Sequence, residues 1–380
     1  MPHPRAGSYT MKVALVHDWL TGMRGGEKVL ERLCARFPDA PIYTLVHEPG
    51  SVSDVIEAHD IRTSFVQNMP ARHAYRWYLP LFPLAVRGLD LGEFDLVISS
   101  SHCAVKAVRT RQDAKHLCYC HTPMRYAWDR FDDYFSPSRV GWMKHLLIRP
   151  TIAWLRQWDR ATAGRVDAFV ANSGYVAGRI KRYYERDSSV ISPPVDTDYF
   201  VPDRDSADDF YLMVSALNPY KRVGAAIEAF TKMNRRLVVV GDGPDRAQLE
   251  DARGPSVELL GRVDDATLLN LYQRCRGFVL PNVEDAGIAP IEAMACGRPA
   301  LVLAAGGAPE AVIDGVTGVH MQDTGLAGIC EAVDRAEALT FNTEKIRAHA
   351  EHYSVRAFDR QISDFIDREL PTPSVGEPSP

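Results

Sequence analysis

A chain of 380 residues is long enough for two ordinary domains, and 46% hydrophobic with 24% charged residues is the balance of a globular protein. The net charge of -5 excludes a general nucleic-acid binder, which needs clustered positive charge to displace counterions from phosphates. The seven cysteines lack the paired spacing of a zinc site or a disulfide scaffold, residues 1–10 lack the apolar stretch of a signal peptide, and no uninterrupted apolar run reaches the roughly twenty residues of a membrane span. These features predict a cytoplasmic protein that is neither exported nor membrane-spanning.

In chain order, residues 1–10 read as a disordered extension. Val13–Val16 is a short strand that leads through Gly22, Gly25 and Gly26 into an amphipathic helix over Lys28–Phe37. Strand, glycine-rich turn and helix in that order open a Rossmann-like unit. Asp95–Ser100, Leu117–Tyr119 and Ala168–Ala171 read as further buried strands. The proline-containing stretch Ile191–Arg204 reads as a connector. Alternation then restarts, with strands at Phe210–Val214, Leu237–Val240, Val257–Leu260, Gly277–Leu280 and Pro299–Leu303. Helices are expected at Val223–Lys232, Arg246–Asp251 and Ala266–Arg274, after Pro290, and within Val355–Leu370. The fold class is α/β, with two Rossmann-like domains facing across a cleft lined by strand carboxyl ends. The predicted boundaries are 11–195 and 196–355, then a C-terminal helix over 356–370 and a disordered tail over 371–380.

The strongest chemical signal runs from Glu284 through Gly287, Ile288, Ala289 and Pro290 to Glu292. Proline suits the first turn of a helix and Gly287 permits a tight loop, so the first N–H groups of the helix can meet a diphosphate. Glu292, placed in that first turn, either complements the helix dipole or accepts from two ribose hydroxyls; Glu284, in the preceding loop, can meet a sugar. The string resembles the two-glutamate signature of family-4 retaining glycosyltransferases of GT-B architecture, and the resemblance extends from Met11 to about Leu370. In that family the first glutamate contacts the transferred hexose, the second binds ribose, and loop N–H groups take the diphosphate. The resemblance carries these roles to Glu284, Glu292 and the backbone of Ile288 and Ala289. The C-terminal helix is expected to cross back to the first domain.

The segment Ser215–Arg222 resembles the phosphate-binding segment of the family, with Lys221 offering a point charge as the leaving group becomes negative. Many members carry arginine where this chain has Ala216, and Arg222 or Arg24 is a candidate substitute. Gly25 and Gly26 resemble the family's glycine loop, and Gly243 sits in a turn expected to approach the nucleotide. His121, Thr122, Pro123, Met124, Arg125 and Tyr126 resemble a segment of GDP-mannose-dependent mannosyltransferases of the O-antigen type. That resemblance puts His121 beside the transferred sugar. Asn172 with Ser173, Pro193–Asp196, and Gly306 with Gly307 and Glu310 are fainter echoes; Glu310 heads a helix, and capping that helix is the plain alternative to a functional role.

Between Arg139 and Arg165, Lys144, Arg149, Arg156 and Arg160 alternate with Trp142, Leu146, Leu147, Trp154 and Trp158, and a second such patch spans Arg72–Leu84. These tryptophans either pack in the core or touch an anionic membrane surface. The resemblance implies a nucleotide-sugar donor, GDP-mannose ahead of GDP-fucose or a UDP-sugar, and the aromatic-basic surface, read as a membrane contact, predicts a polyprenyl-diphosphate-linked glycan acceptor reached at the inner face of the plasma membrane. No aspartate pair is spaced for a magnesium ion on the donor phosphates, so no metal is expected. The rivals are a catalytically impaired scaffold of the same fold, suggested by Ala216 and Ala286, and an NAD-dependent dehydrogenase, disfavoured by the missing dinucleotide fingerprint at Gly22–Gly26.

Overall fold

The computed structural model describes residues 11–70, 72–129, 131, 135–203 and 207–370; the expected disordered extension 1–10 and tail 371–380 lie outside them. The described residues form two units. The first collects the chain up to Ala171, Ala177–Val190 and the residues from Gln361 on; the second collects Asn172–Val176 and Ile191–Arg360. The changeovers thus fall after Val190 and Arg360, against 195 and 355 in the sequence reading. Strand pairing in the first unit runs to Val190, and Val195 already bridges to Ser354 in the second. The last helix, Val355–Glu369, begins in the second unit and ends in the first, where Asp367 pairs with Arg36 at 3.4 Å.

Unit 1 is built on a parallel sheet of seven strands among the described residues. They are β1 (Val13–His17), β2 (Ile42–Thr44), β3 (Ile61–Thr63), β4 (Leu96–Ser101), β5 (Lys115–Cys120), β6 (Ala168–Ala171) and β7 (Ser188–Val190). The order across the sheet is β3-β2-β1-β4-β5-β6-β7. Ala14, Leu15, Val16, Leu96, Val97 and Cys118 have no exposed surface, because helices cover both faces of a parallel sheet. Each leucine or valine among them contributes about 1.5–3 kcal/mol on leaving water. The short strands β2, β3 and β7 are additions to the sequence reading: at 3 residues each, they are too short for a periodic signal.

Unit 2 carries a second parallel sheet of six strands: β8 (Tyr211–Val214), β9 (Leu237–Val240), β10 (Val257–Gly261), β11 (Gly277–Leu280), β12 (Ala300–Leu303) and β13 (Gly318–Met321). Their order is β10-β9-β8-β11-β12-β13. Each unit is therefore a Rossmann-like domain.

Two expected helix starts move. The first helix is Gly25–Arg36, so Gly25 and Gly26 are its first two residues rather than a turn before it. The Glu27 carboxylate accepts from the Arg24 N–H at 3.1 Å and draws the start forward as a capping box. The helix expected after Pro290 is Ile288–Ala295, and Glu292 consequently lies in its second turn, not its first.

His116, on β5, is fully buried. Its Nδ1 lies 3.2 Å from the Arg165 carbonyl and its Nε2 lies 2.9 Å from Ser99 Oγ. A carbonyl only accepts, so Nδ1 carries the proton and the Ser99 hydroxyl donates to Nε2. Burial pushes this imidazole down to about 4, although the Arg165 carbonyl and the charge of Asp167 oppose the shift. Between roughly pH 6.5 and the folded value the unfolded chain binds the additional proton, so stability is full above that window and is lost as pH falls through it. The thermal-midpoint advantage of wild type over His116→Asn is expected to shrink as pH is lowered through this window. A constant advantage would contradict the neutral assignment.

Candidate functional site

In the second sheet the chain steps from β8 outward through β9 to β10, then restarts at β11 and steps the other way through β12 to β13. The connections after neighbouring strands β8 and β11 therefore leave in opposite directions and open a crevice beyond their carboxyl ends. Lys221 and Glu284 come from those two connections. After β8 the chain passes into a short 3-10 turn, Pro219–Lys221; Glu284 lies between β11 and the helix Ile288–Ala295. The Lys221 ammonium pairs with Glu284 Oε1, and Asn282 Nδ2 donates to the same oxygen at 2.9 Å. Only 15% of the lysine side chain and 19% of the glutamate side chain reach solvent, so screening of the pair is weak.

Several of the faint sequence echoes hold this loop in place. Glu284 bridges to Gly306, and its carbonyl accepts from the Gly307 N–H at 2.7 Å. A side chain at Gly307 would collide with the Asp285 carbonyl, which itself accepts from Ser173 Oγ. Gly287 takes the left-handed conformation (φ 74°, ψ 57°) that turns the loop into the helix. The first N–H groups of that helix, on Ile288 and Ala289, have no intrahelical acceptor by geometry. Glu292 is buried on the same helix, where its Oε2 accepts from the Tyr272 hydroxyl at 2.9 Å. Tyr272 was not anticipated; its phenol is pushed well up by burial and then by the Glu292 charge, so it remains a donor.

Arg222 directly precedes the helix Val223–Met233 with φ 57° and ψ 25°, and its side chain is exposed. A left-handed non-glycine residue beside a binding loop is a strained position. Gly243 has a packing reason of its own, since a Cβ there would strike the Leu217 backbone that leads toward Lys221. Glu310 does cap a helix, but not the one it heads: its oxygens accept from the N–H groups of Gly174 and Tyr175 at 2.7 and 2.6 Å.

Unit 1 repeats the topological feature. Its crossovers reverse between β1 and β4, and the register sets His17 opposite Ser100. His121, just beyond β5, places Nε2 2.8 Å from Ser100 Oγ, and Ser100 Oγ is 3.1 Å from His17 Nδ1. Gly26 stands over both rings, with a hypothetical Cβ at 3.4 Å from His17 and 3.6 Å from His121. Removal from water, followed by the charges of His102 and His17, holds the His121 imidazole well below the usual range, so it is neutral. Much of the remaining motif is structural. Arg179 bonds both Thr122 and Asp129, Trp128 stacks on Tyr183 at 4.5 Å, and Met124 and Ala127 lie in the core. His17, Glu27 and Ser100 were missed because isolated polar residues at strand and helix ends carry no periodic signal.

The aromatic-basic segment divides in two. In the helix Trp142–Thr162, Trp142 is 67% exposed and Leu147 is 72% exposed, as is Trp77 at 72% in the other patch, whereas Trp158 packs on the core. Lys144 and Arg149 are exposed, but Arg156 is bound to the Ala127 carbonyl and Arg160 to Glu185. The side chains of Arg72 and Arg139 lie outside the described residues. Among the described residues, no helix is long and apolar enough to cross a membrane, and no three His, Cys, Asp or Glu side chains are grouped to hold a metal ion.

Residues 23–199 match the family described as Glycosyltransferase Family 4, and residues 195–353 match Glycosyl transferases group 1. The chain belongs to the family-4 glycosyltransferases of GT-B fold. It is 26% identical to a D-inositol 3-phosphate glycosyltransferase of Mycolicibacterium smegmatis over 57% of this chain and 58% of that one. It is 33% identical to a GDP-mannose-dependent alpha-(1-6)-phosphatidylinositol monomannoside mannosyltransferase of the same organism, over 51% of this chain and 57% of that one. To human alpha-1,3/1,6-mannosyltransferase ALG2 it is 25% identical over 73% of this chain and 74% of that one. The match thus spans less than three-fifths of the first two relatives. In fold it is similar to HepE of Anabaena, solved with UDP and glucose, with a TM-score of 0.69 at 17% identity over 95% of this chain and 100% of that one.

If the strain at Arg222 is retained for its guanidinium, Arg222→Gly should raise unfolding stability in urea by about 1 kcal/mol, while Arg222→Ala, which keeps a Cβ, should not. Equal stabilities for the glycine and alanine variants would mean that the position is unstrained.

Proposed function

We propose that this glycosyltransferase moves mannose from GDP-mannose, with retention of anomeric configuration and without a metal, to a polyprenyl-diphosphate-linked glycan. The observation that carries the reading is the Lys221–Glu284 pair at the β8/β11 reversal, beside the helix start at Gly287. An ammonium has three N–H donors, and one serves Glu284 here. An arriving diphosphate competes for Lys221, and the exchange turns Glu284 toward the hydroxyls of the sugar. As the bond to the leaving phosphate breaks, Lys221 and the Ile288 and Ala289 N–H groups meet the growing negative charge. The acceptor hydroxyl attacks from the face the phosphate leaves, and a phosphate oxygen takes its proton. Glu292, oriented by Tyr272, accepts from the ribose diol.

The choice of mannose is supported by the segment from His121 to Tyr126 and by two relatives that are mannosyltransferases. Lipid linkage is supported by the exposed apolar end of the helix Trp142–Thr162 with Lys144 and Arg149 beside it. A cytoplasmic enzyme docked on the inner face of the plasma membrane meets both a soluble donor and such an acceptor.

Lys221→Ala is expected to lower kcat by about 100-fold or more with donor KM changed much less. Glu292→Ala is expected to raise donor KM by roughly 10- to 100-fold, the worth of hydrogen bonds to a charged group. Steady-state kinetics on guanosine, uridine and adenosine diphosphate sugars tests both assignments together with the donor; normal kinetics in both variants removes the site assignment. Flotation with anionic vesicles at low salt tests docking. The protein should float with the vesicles, Trp142→Ala with Leu147→Ala should not, and a protein that ignores the vesicles lacks the proposed contact.

A further inference from the structure

Asn282 lies in the connection after β11, two residues before Glu284, and is buried to 1% exposure. Its Nδ2 stands 2.9 Å from Glu284 Oε1 and 3.2 Å from the Val283 carbonyl. Lys221 pairs with that same Oε1. A carboxylate oxygen facing an ammonium and a peptide carbonyl both accept, so the amide nitrogen must face them; a flipped amide would set an acceptor against two acceptors. The orientation is therefore forced, and it leaves Asn282 Oδ1 buried with no donor among the described residues. A buried acceptor without a donor is a cost to folding.

Seating of the loop does not account for that cost. The backbone at Glu284 is already tied by its bridge to Gly306 and by the Gly307 N–H, which donates to the Glu284 carbonyl at 2.7 Å. What the amide adds is a second donor on the carboxylate, and the two donors differ in kind. Lys221 carries a charge that a phosphate can compete for. Asn282 is neutral and out of contact with solvent, so a phosphate has neither the charge nor the access to draw it away. A carboxylate whose side chain is only 19% exposed, and which loses its cation, depends on the donors that stay.

We propose that Asn282 is a positioning residue that keeps its hydrogen bond to Glu284 Oε1 after Lys221 has passed to an incoming diphosphate, so that the carboxylate turns toward the sugar about a fixed oxygen. The departure of Lys221 rests on the transferase reading above. The fate of the Asn282 bond can be read without any turnover, with inorganic pyrophosphate in place of a sugar donor.

Crystal structures of the full chain with and without pyrophosphate test this. In the complex Lys221 should bond the phosphate while Asn282 Nδ2 stays within hydrogen-bond distance of Glu284 Oε1. A complex in which Lys221 has moved and Glu284 has left Asn282 as well overturns this proposal alone. Pyrophosphate absent from Lys221, or bound with the Lys221–Glu284 pair intact, overturns the exchange and this proposal with it. Kinetics with the donor selected by the nucleotide-sugar panel supplies the second arm. Asn282→Ala is smaller than asparagine and Asn282→Leu is bulkier, and neither offers a donor. Each should lower kcat roughly 10- to 100-fold, the worth of a hydrogen bond to a charged group. Donor KM, which Glu292 governs, should change much less. Wild-type kcat in either variant with normal circular dichroism would show that the space and not the bond matters, and a loss confined to donor KM would place Asn282 in donor binding; both results overturn the proposal.

Discussion

A parallel sheet needs a crossover for every strand, and when successive crossovers run in opposite directions one pair of neighbouring strands is left with its end uncovered. Both sheets of this protein have such a pair, β8 with β11 and β1 with β4. The polar chemistry of each unit collects there because backbone N–H groups, loop carboxylates and helix starts can converge without being buried under a connection. Lys221 with Glu284 at one reversal, and His17 with Ser100 and His121 at the other, are consequences of strand order before they are consequences of individual residues.

The two sites handle charge differently. In unit 2 a cation and an anion, Lys221 and Glu284, neutralise one another at low exposure. In unit 1 removal from water holds the His121 and His102 imidazoles well below their ordinary range, with the carboxylates of Glu27 and Asp18 beside the ring cluster.

Around the sites, glycine and small residues act mainly by permitting close approach. Gly307 lies against the Asp285 carbonyl and Gly243 against Leu217, so the residues that look like ligand contacts in the sequence serve to seat the loops that carry Lys221 and Glu284. Glu310 shows the same displacement of role, since it caps a helix other than its own.

The sequence by itself determined the α/β class, the central strands and the pairing of Glu284 with Glu292 in one motif, because buried parallel strands read as continuous apolar runs and the motif is contiguous. The short strands β2, β3 and β7 left no signal in the sequence, and the helix starts at Gly25 and Ile288 were set by the Glu27 bond to Arg24 and by the left-handed Gly287, which a pattern of apolar residues does not show. Only the tertiary structure decided that Glu284 bonds Lys221, that Tyr272 supports Glu292, and that His121 is joined to Glu27 through His17 and Ser100. Those contacts join residues far apart along the chain, and they depend on strand order and register, which set His17 opposite Ser100 and which local sequence does not encode.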